Sequence, residues 1–190
     1  MTREPAPSHP LPAPMQRGFT MLEVLIAILV IAIGTLGMAG LQLIALKNTQ
    51  GSHYRSIAVQ LANDIAERMR GNMNGVLANG YNRTSVSIDY STPKPNCTTT
   101  TGCPFSDMAI NDAYEWQQLI AAQLPQGEGI VCIDSLPNDG TTAALHGCDN
   151  ISPTDPNERP LHAIKIWWLD DRSQANTTGA KVVFIYSFRL

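Results

Sequence analysis

Between Val24 and Leu46 the chain runs VLIAILVIAIGTLGMAGLQLIAL, about 23 residues without a formal charge, and no other feature limits the possible folds as strongly. At ~1.5 Å rise per residue, a helix of that length crosses a hydrocarbon core ~30 Å thick. The competing explanation is a cleavable secretory signal, whose apolar core is about 7 to 15 residues and is followed by a small-x-small cleavage site. Here the run is too long and the processing mark lies in front of it. A transmembrane helix is therefore predicted.

The mark is Arg17-Gly18-Phe19-Thr20-Met21-Leu22-Glu23: a base and a glycine, then an apolar residue, then a lone carboxylate at the mouth of the apolar run. It resembles the prepilin peptidase recognition sequence of type IV pilins and type II secretion pseudopilins. That resemblance implies cytoplasmic cleavage between Gly18 and Phe19 and N-methylation of the new terminus, Phe19. Glycine suits a scissile position, because a peptidase cleft needs a close backbone approach that a side chain would obstruct. Glu23 is costly at the edge of hydrocarbon, by several kcal/mol as an order of magnitude. By itself it reads either as an interfacial residue snorkelling to the headgroups or as an assembly residue. The resemblance implies the second, with Glu23 pairing the N-terminal ammonium of a neighbouring subunit. The leader, residues 1–18, carries Pro5, Pro7, Pro10, Pro12 and Pro14 without apolar periodicity, so it is expected to be extended and disordered. Met15 is a candidate initiator that would leave a short basic leader. Arg3 and Arg17 precede the span while Lys47 and Arg55 follow it, so charge orients it only weakly. An outside C-terminus rests on the leader motif and on the cysteines.

Beyond Leu46 there is no proline until Pro93, and Tyr54, Ile57, Ala58, Leu61, Ile65 and Met69 keep helical spacing. Asp64 and Arg68 stand at i, i+4, and Gly71-Asn72 is the expected stop. One helix from Phe19 to Arg70 would be roughly 75 to 80 Å long, its outer half needing a globular cover. Gly34, Gly37 and Gly40 share one side, either for close approach of neighbouring helices or as ordinary membrane glycines. The stretches AIGTLGMAGLQLIALKN and SHYRSIAVQLANDIAERMRGN resemble the PilV group of minor pilins, the type IV pilus modification proteins. That likeness implies a minor pilin that primes pilus assembly and sits in a tip complex. Its implied partners are prepilin peptidase, the other minor pilins and the major pilin, the inner-membrane assembly platform and a tip adhesin. It further implies a single-pass inner-membrane protein with a periplasmic C-terminal domain, reaching the cell surface after assembly. A type II secretion minor pseudopilin shares the same leader and long helix and is the alternative.

The expected fold class is α+β: a leader over 1–18, a transmembrane helix over 19–46, its amphipathic continuation over 47–71, and an α+β head over 72–190 with a small antiparallel sheet packed on the long helix. Residues 72–107 read as loop with one short strand at Thr84–Tyr90. Asp112-x-x-Glu115 has capping-box spacing ahead of Trp116, Leu119, Ile120 and Leu124, so a short helix is predicted there. Strands are predicted at Gly129–Asp134, His162–Leu169 and Lys181–Phe188, the last two pairing. Trp167 and Trp168 point to opposite faces, one for the core and the other for a subunit contact. The four cysteines lack a zinc knuckle and imply an oxidising compartment. As sequence neighbours they are expected to pair Cys97–Cys103 and Cys132–Cys148. No catalytic residue, metal site or cofactor is expected: His9, His53, His146 and His162 have no ligand spacing, and Asp134, Asp139, Asp149 and Asp155 lack the pattern of a calcium loop. With 13 Lys and Arg scattered against 16 Asp and Glu, net charge -3, direct nucleic-acid binding is also not expected.

Overall fold

The computed structural model describes residues 18–83, 91–155, 157–170 and 181–190, which leaves the predicted leader to residue 17 and the predicted strand Thr84–Tyr90 outside the described residues. The chain divides into two compact units, Met1–Lys47 and Asn48–Leu190. A single helix, α1 (Met21–Gly71), contributes to both. In the first unit its most apolar window has a mean hydropathy of 2.6 and none of it is buried. Its large side chains from Leu22 to Leu46 all face outward. An apolar surface complete around a helix needs lipid or other helices as its surroundings.

In the second unit α1 buries Ala58, Leu61, Ala62, Ile65, Ala66 and Met69, a stripe at i, i+3, i+4, i+7 and onward. Next come α2 (Met73–Leu77), a 3-10 turn (Pro95–Thr98), α3 (Phe105–Gln123), and strands β1 (Glu128–Ile133), β2 (His162–Trp168) and β3 (Val182–Phe188). The sheet is antiparallel in the order β1-β2-β3. The fold is the expected one, with the apolar-headed long helix packed on a small antiparallel sheet. Its core joins the α1 stripe to Trp116 and Ile120 of α3 and to Val131, Ile164, Ile166, Trp168 and Phe188 on the inner sheet face, with Val182, Phe184 and Tyr186 packed against it. Each large apolar side chain so buried contributes about 1.5 to 3 kcal/mol. The Trp116 indole N–H donates to the Leu61 carbonyl at 2.8 Å, fastening α3 to α1.

Three local expectations need correction. The helix predicted at Asp112 starts seven residues earlier, at Phe105 behind Pro104, because Pro supplies an extended N-cap and Asp112 is drawn into the interior by partners far away in sequence. Asn72 does end α1, but it also begins α2, its side chain accepting the Gly75 N–H at 3.2 Å. The stretch 72–107 is thus more helical than its Asn, Gly and Thr content suggests. Both tryptophans are buried, Trp167 at 0% and Trp168 at 2% exposure. The outer face of the sheet is covered as well, at Lys165 by the connection from β1 to β2, and with both side chains enclosed neither indole is left for a subunit contact.

Candidate assembly interface and processing segment

Gly18, Phe19 and Thr20 precede α1 and are exposed, Phe19 at 82%. A β-carbon built on Gly18 meets nothing within 4 Å. Helix α1 is capped by Thr20, whose hydroxyl accepts the Glu23 N–H at 3.3 Å, while its carbonyl accepts from Glu23 and Val24 at 3.1 and 3.4 Å. Thr20-x-x-Glu23 has capping-box spacing, so the sequence carries a helix-start signal at this carboxylate besides its charge. A carboxylate in the first helical turn is also favoured by the helix dipole, by about 0.3 to 1 kcal/mol. Among the described residues, no basic side chain pairs with it. Deeper in the run, the Thr35 hydroxyl donates to the Ala32 carbonyl at 2.9 Å, so the helix satisfies its own polar group. Gly34, Gly37 and Gly40 have open space around them.

In the head, polar residues are spent on internal ties. Arg68 donates through Nε to Asp64 at 3.1 Å and through one terminal nitrogen to Asp112 at 3.2 Å and Glu115 at 2.8 Å. The Tyr81 hydroxyl donates to Asp112 at 2.5 Å. The Asn72 amide donates to Tyr81 at 3.2 Å and to the Phe105 carbonyl at 2.8 Å. Burial opposes the Arg68 charge, yet the Glu115 hydrogen bond and the nearby Asp64 and Asp112 carboxylates outweigh it and raise its pKa. Burial, then the Asp112 contact, raises that of Tyr81. The Arg68 hydrogen bond lowers that of Glu115. This network binds the end of α1 to α3 through residues 44 and 47 positions apart in sequence, and spacing gave no warning of it.

The bridges Cys97–Cys103 and Cys132–Cys148 close loops of separation 6 and 16. Cys132, Asp134 and Cys148 cluster as three metal-type ligands, but both sulfurs are consumed in the bridge. Of the acidic residues Asp134, Asp139, Asp149 and Asp155, the first two neutralise Lys165 at 2.6 and 2.7 Å. Asp149 accepts from the Ser135 N–H at 3.1 Å and the Ile151 N–H at 2.9 Å. His146 accepts the Cys148 N–H at 2.9 Å, and His162 is buried against Phe188 with ring centroids 5.9 Å apart. An open groove of 630 Å³ lies between the end of α3, the start of β1 and residues 142–144. Its polar lining includes Arg83, Gln117, Gln118 and Glu128, with no nucleophile set beside a base.

Comparison with known proteins identifies two segments. The prokaryotic N-terminal methylation motif matches residues 14–39, which contain Gly18, Phe19 and Glu23. A family model described as type IV pilin Tt1218 matches residues 40–114, from within α1 through the first half of α3. No curated protein and no solved structure gives a significant match. The chain thus carries an N-terminal methylation motif that leads directly into a segment similar to the type IV pilin Tt1218 family.

Proposed function

We propose that the chain is a minor pilin of the PilV kind, acting in the complex that primes type IV pilus assembly and remains at the fibre tip. The observation that carries this is the segment Gly18-Phe19-Thr20-Met21-Leu22-Glu23 placed at the entrance of a helix whose membrane-length half is exposed on all sides. Prepilin peptidase cuts between Gly18 and Phe19 and the Phe19 amine is methylated. The head lies in the periplasm, where the two bridges form. Within the assembly, Glu23 pairs with the N-terminal ammonium of an adjacent subunit. A carboxylate in low dielectric without a partner is expelled or neutralised, so this pairing fixes the axial offset between neighbouring helices. The partners are other minor pilins, the major pilin and the inner-membrane assembly platform, with an adhesin at the tip. Catalysis has no part in this role.

The decisive measurement is the mass of the N-terminal peptide of the membrane-extracted protein, expected to begin at a methylated Phe19. The Gly18→Val variant should accumulate uncut. Because Gly18 has open space around it within this chain, such a block arises in the peptidase cleft and not from misfolding. Normal cutting of that variant would refute the assignment. Deletion should abolish pili and twitching; loss of exoprotein secretion with pili intact would assign the subunit to the pseudopilus of type II secretion.

A further inference from the structure

Lys165 stands in the middle of β2 with no exposed surface. Its ammonium pairs with the equally buried Asp134 carboxylate at 2.6 Å and with Asp139 at 2.7 Å. It also donates to the Asp139 carbonyl at 3.2 Å and the His146 carbonyl at 2.8 Å. Asp134 and Asp139 belong to the outgoing limb of the connection after β1, and His146 to the returning limb. Two residues past His146, Cys148 is bridged to Cys132 of β1. The limbs touch around the lysine: Gly140 and Gly147 have φ of +85° and +74°, and β-carbons there would lie 2.3 Å from the His146 carbonyl oxygen and 2.2 Å from the Asp139 carboxylate. The first part of the connection, residues 134–148, is therefore closed covalently at its ends and electrostatically in its middle.

We propose that residues 134–148 form a redox-sensitive strap in which the Cys132–Cys148 bridge and the Lys165 ammonium lock each other. A buried ammonium is stable only with its acceptors in place. Three of those acceptors belong to Asp139 and His146, whose positions the bridge limits by shortening the free path of the loop. Conversely, the ammonium holds the returning limb down and keeps Cys148 beside Cys132. Coupling of this kind is reciprocal: whatever the bridge contributes to seating the lysine, the lysine contributes to keeping the bridge closed. Opening requires a dithiol. One thiolate attacks a bridge sulfur to form a mixed disulfide, and the second displaces it, so that two electrons pass to Cys132 and Cys148, which leave as thiols while the dithiol becomes a disulfide. The freed strap lifts from the outer sheet face and uncovers Lys165, while the inner face stays packed on Trp116 and the α1 stripe. Cys97–Cys103 supplies a contrast within the same molecule. In its loop the Thr98 and Thr99 hydroxyls donate only to local carbonyls, at 2.9 Å each, and no buried charge is involved.

The test uses the full chain in detergent micelles with dithiothreitol, following each bridge by differential alkylation and the backbone by hydrogen exchange. Lys165→Met should accelerate reduction of Cys132–Cys148 on the order of tenfold and leave Cys97–Cys103 at its wild-type rate. Asp139→Ala, which strands no charge in the core because Asp139 is half-exposed, should shift the same bridge in the same direction. In the reduced wild type, exchange should rise over 134–148 and stay slow in β2, β3 and the outer part of α1. Wild-type reduction rates in both variants would overturn the coupling. Simultaneous loss of protection in strap and sheet would overturn the strap, making the bridge a staple of the whole head.

Discussion

Asp112 offers the sharpest test of how this head holds together. As a helix cap it would sit at the surface, its replacement by Ala would cost about 1 kcal/mol, and Ser would substitute for it with little loss. In the structure it stands within α3, its side chain 10% exposed, accepting from Arg68 at 3.2 Å and from the Tyr81 hydroxyl at 2.5 Å. Asp112→Ala removes one charge-assisted hydrogen bond, worth ~1.5 to 3 kcal/mol, and leaves a buried hydroxyl without its acceptor, at ~1 to 3 kcal/mol. Arg68 keeps Asp64 and Glu115, and those half-exposed pairs soften the loss only slightly. A destabilisation of about 3 kcal/mol is expected, roughly two orders of magnitude in the folding equilibrium. With an m-value of ~1 to 3 kcal/mol/M, the urea midpoint falls by roughly 1 to 3 M. The measurement is urea unfolding of the micelle-bound chain, followed by the fluorescence of its buried tryptophans. Ser, being too short to reach both donors, should rescue little. A loss near 1 kcal/mol for Ala together with wild-type stability for Ser would refute the buried-acceptor role.

Three further outcomes follow from the same structure. Glu23→Ala should be membrane-inserted and cut at Gly18, yet depleted from sheared fibres; wild-type recovery in fibres would reduce Glu23 to a cap and interfacial residue. Gly147→Ala should destabilise the head by about 2 kcal/mol, since it combines a left-handed backbone with a β-carbon 2.2 Å from Asp139. Gly71→Ala, with nothing within 4 Å, should change stability by less than about 1 kcal/mol, and paired urea melts would expose any failure of the contrast. Burial lowers the pKa of His162, against a smaller upward pull from the Pro160 carbonyl. The unfolded chain therefore binds the proton more readily than the folded one, so stability is full above about pH 6.5 and declines as pH falls below it. Urea midpoints between about pH 7 and 5.5 should show that decline, to which His146, also lowered by burial, adds with the same sign, and His162→Gln should reduce it; an unchanged slope would show that His162 is not responsible.

The long helix was legible from the sequence because its physics is local. An uncharged run of membrane length is apolar whatever it touches, Gly18, Phe19 and Glu23 stand in one short segment, and the amphipathic stripe of α1 follows from helical period alone. The positions of the three described strands were legible too, because alternation and β-branched residues mark them before any partner is known. Tertiary structure alone decided which polar residues became interior ties. Asp112 has the spacing of a cap, but Tyr81, 31 residues away, and Arg68, 44 residues away, turn it into a buried acceptor. Lys165 in a run of strand residues carries no sign that two aspartates and a looped-back backbone will enclose it. Trp167 and Trp168 alternate in sequence as inside and outside, yet both are buried, Trp168 in the core shared with α1 and α3 and Trp167 on the opposite face. Periodicity records which side of an element a residue occupies; whether that side meets water depends on chain segments distant in sequence, and those are brought together only by the fold.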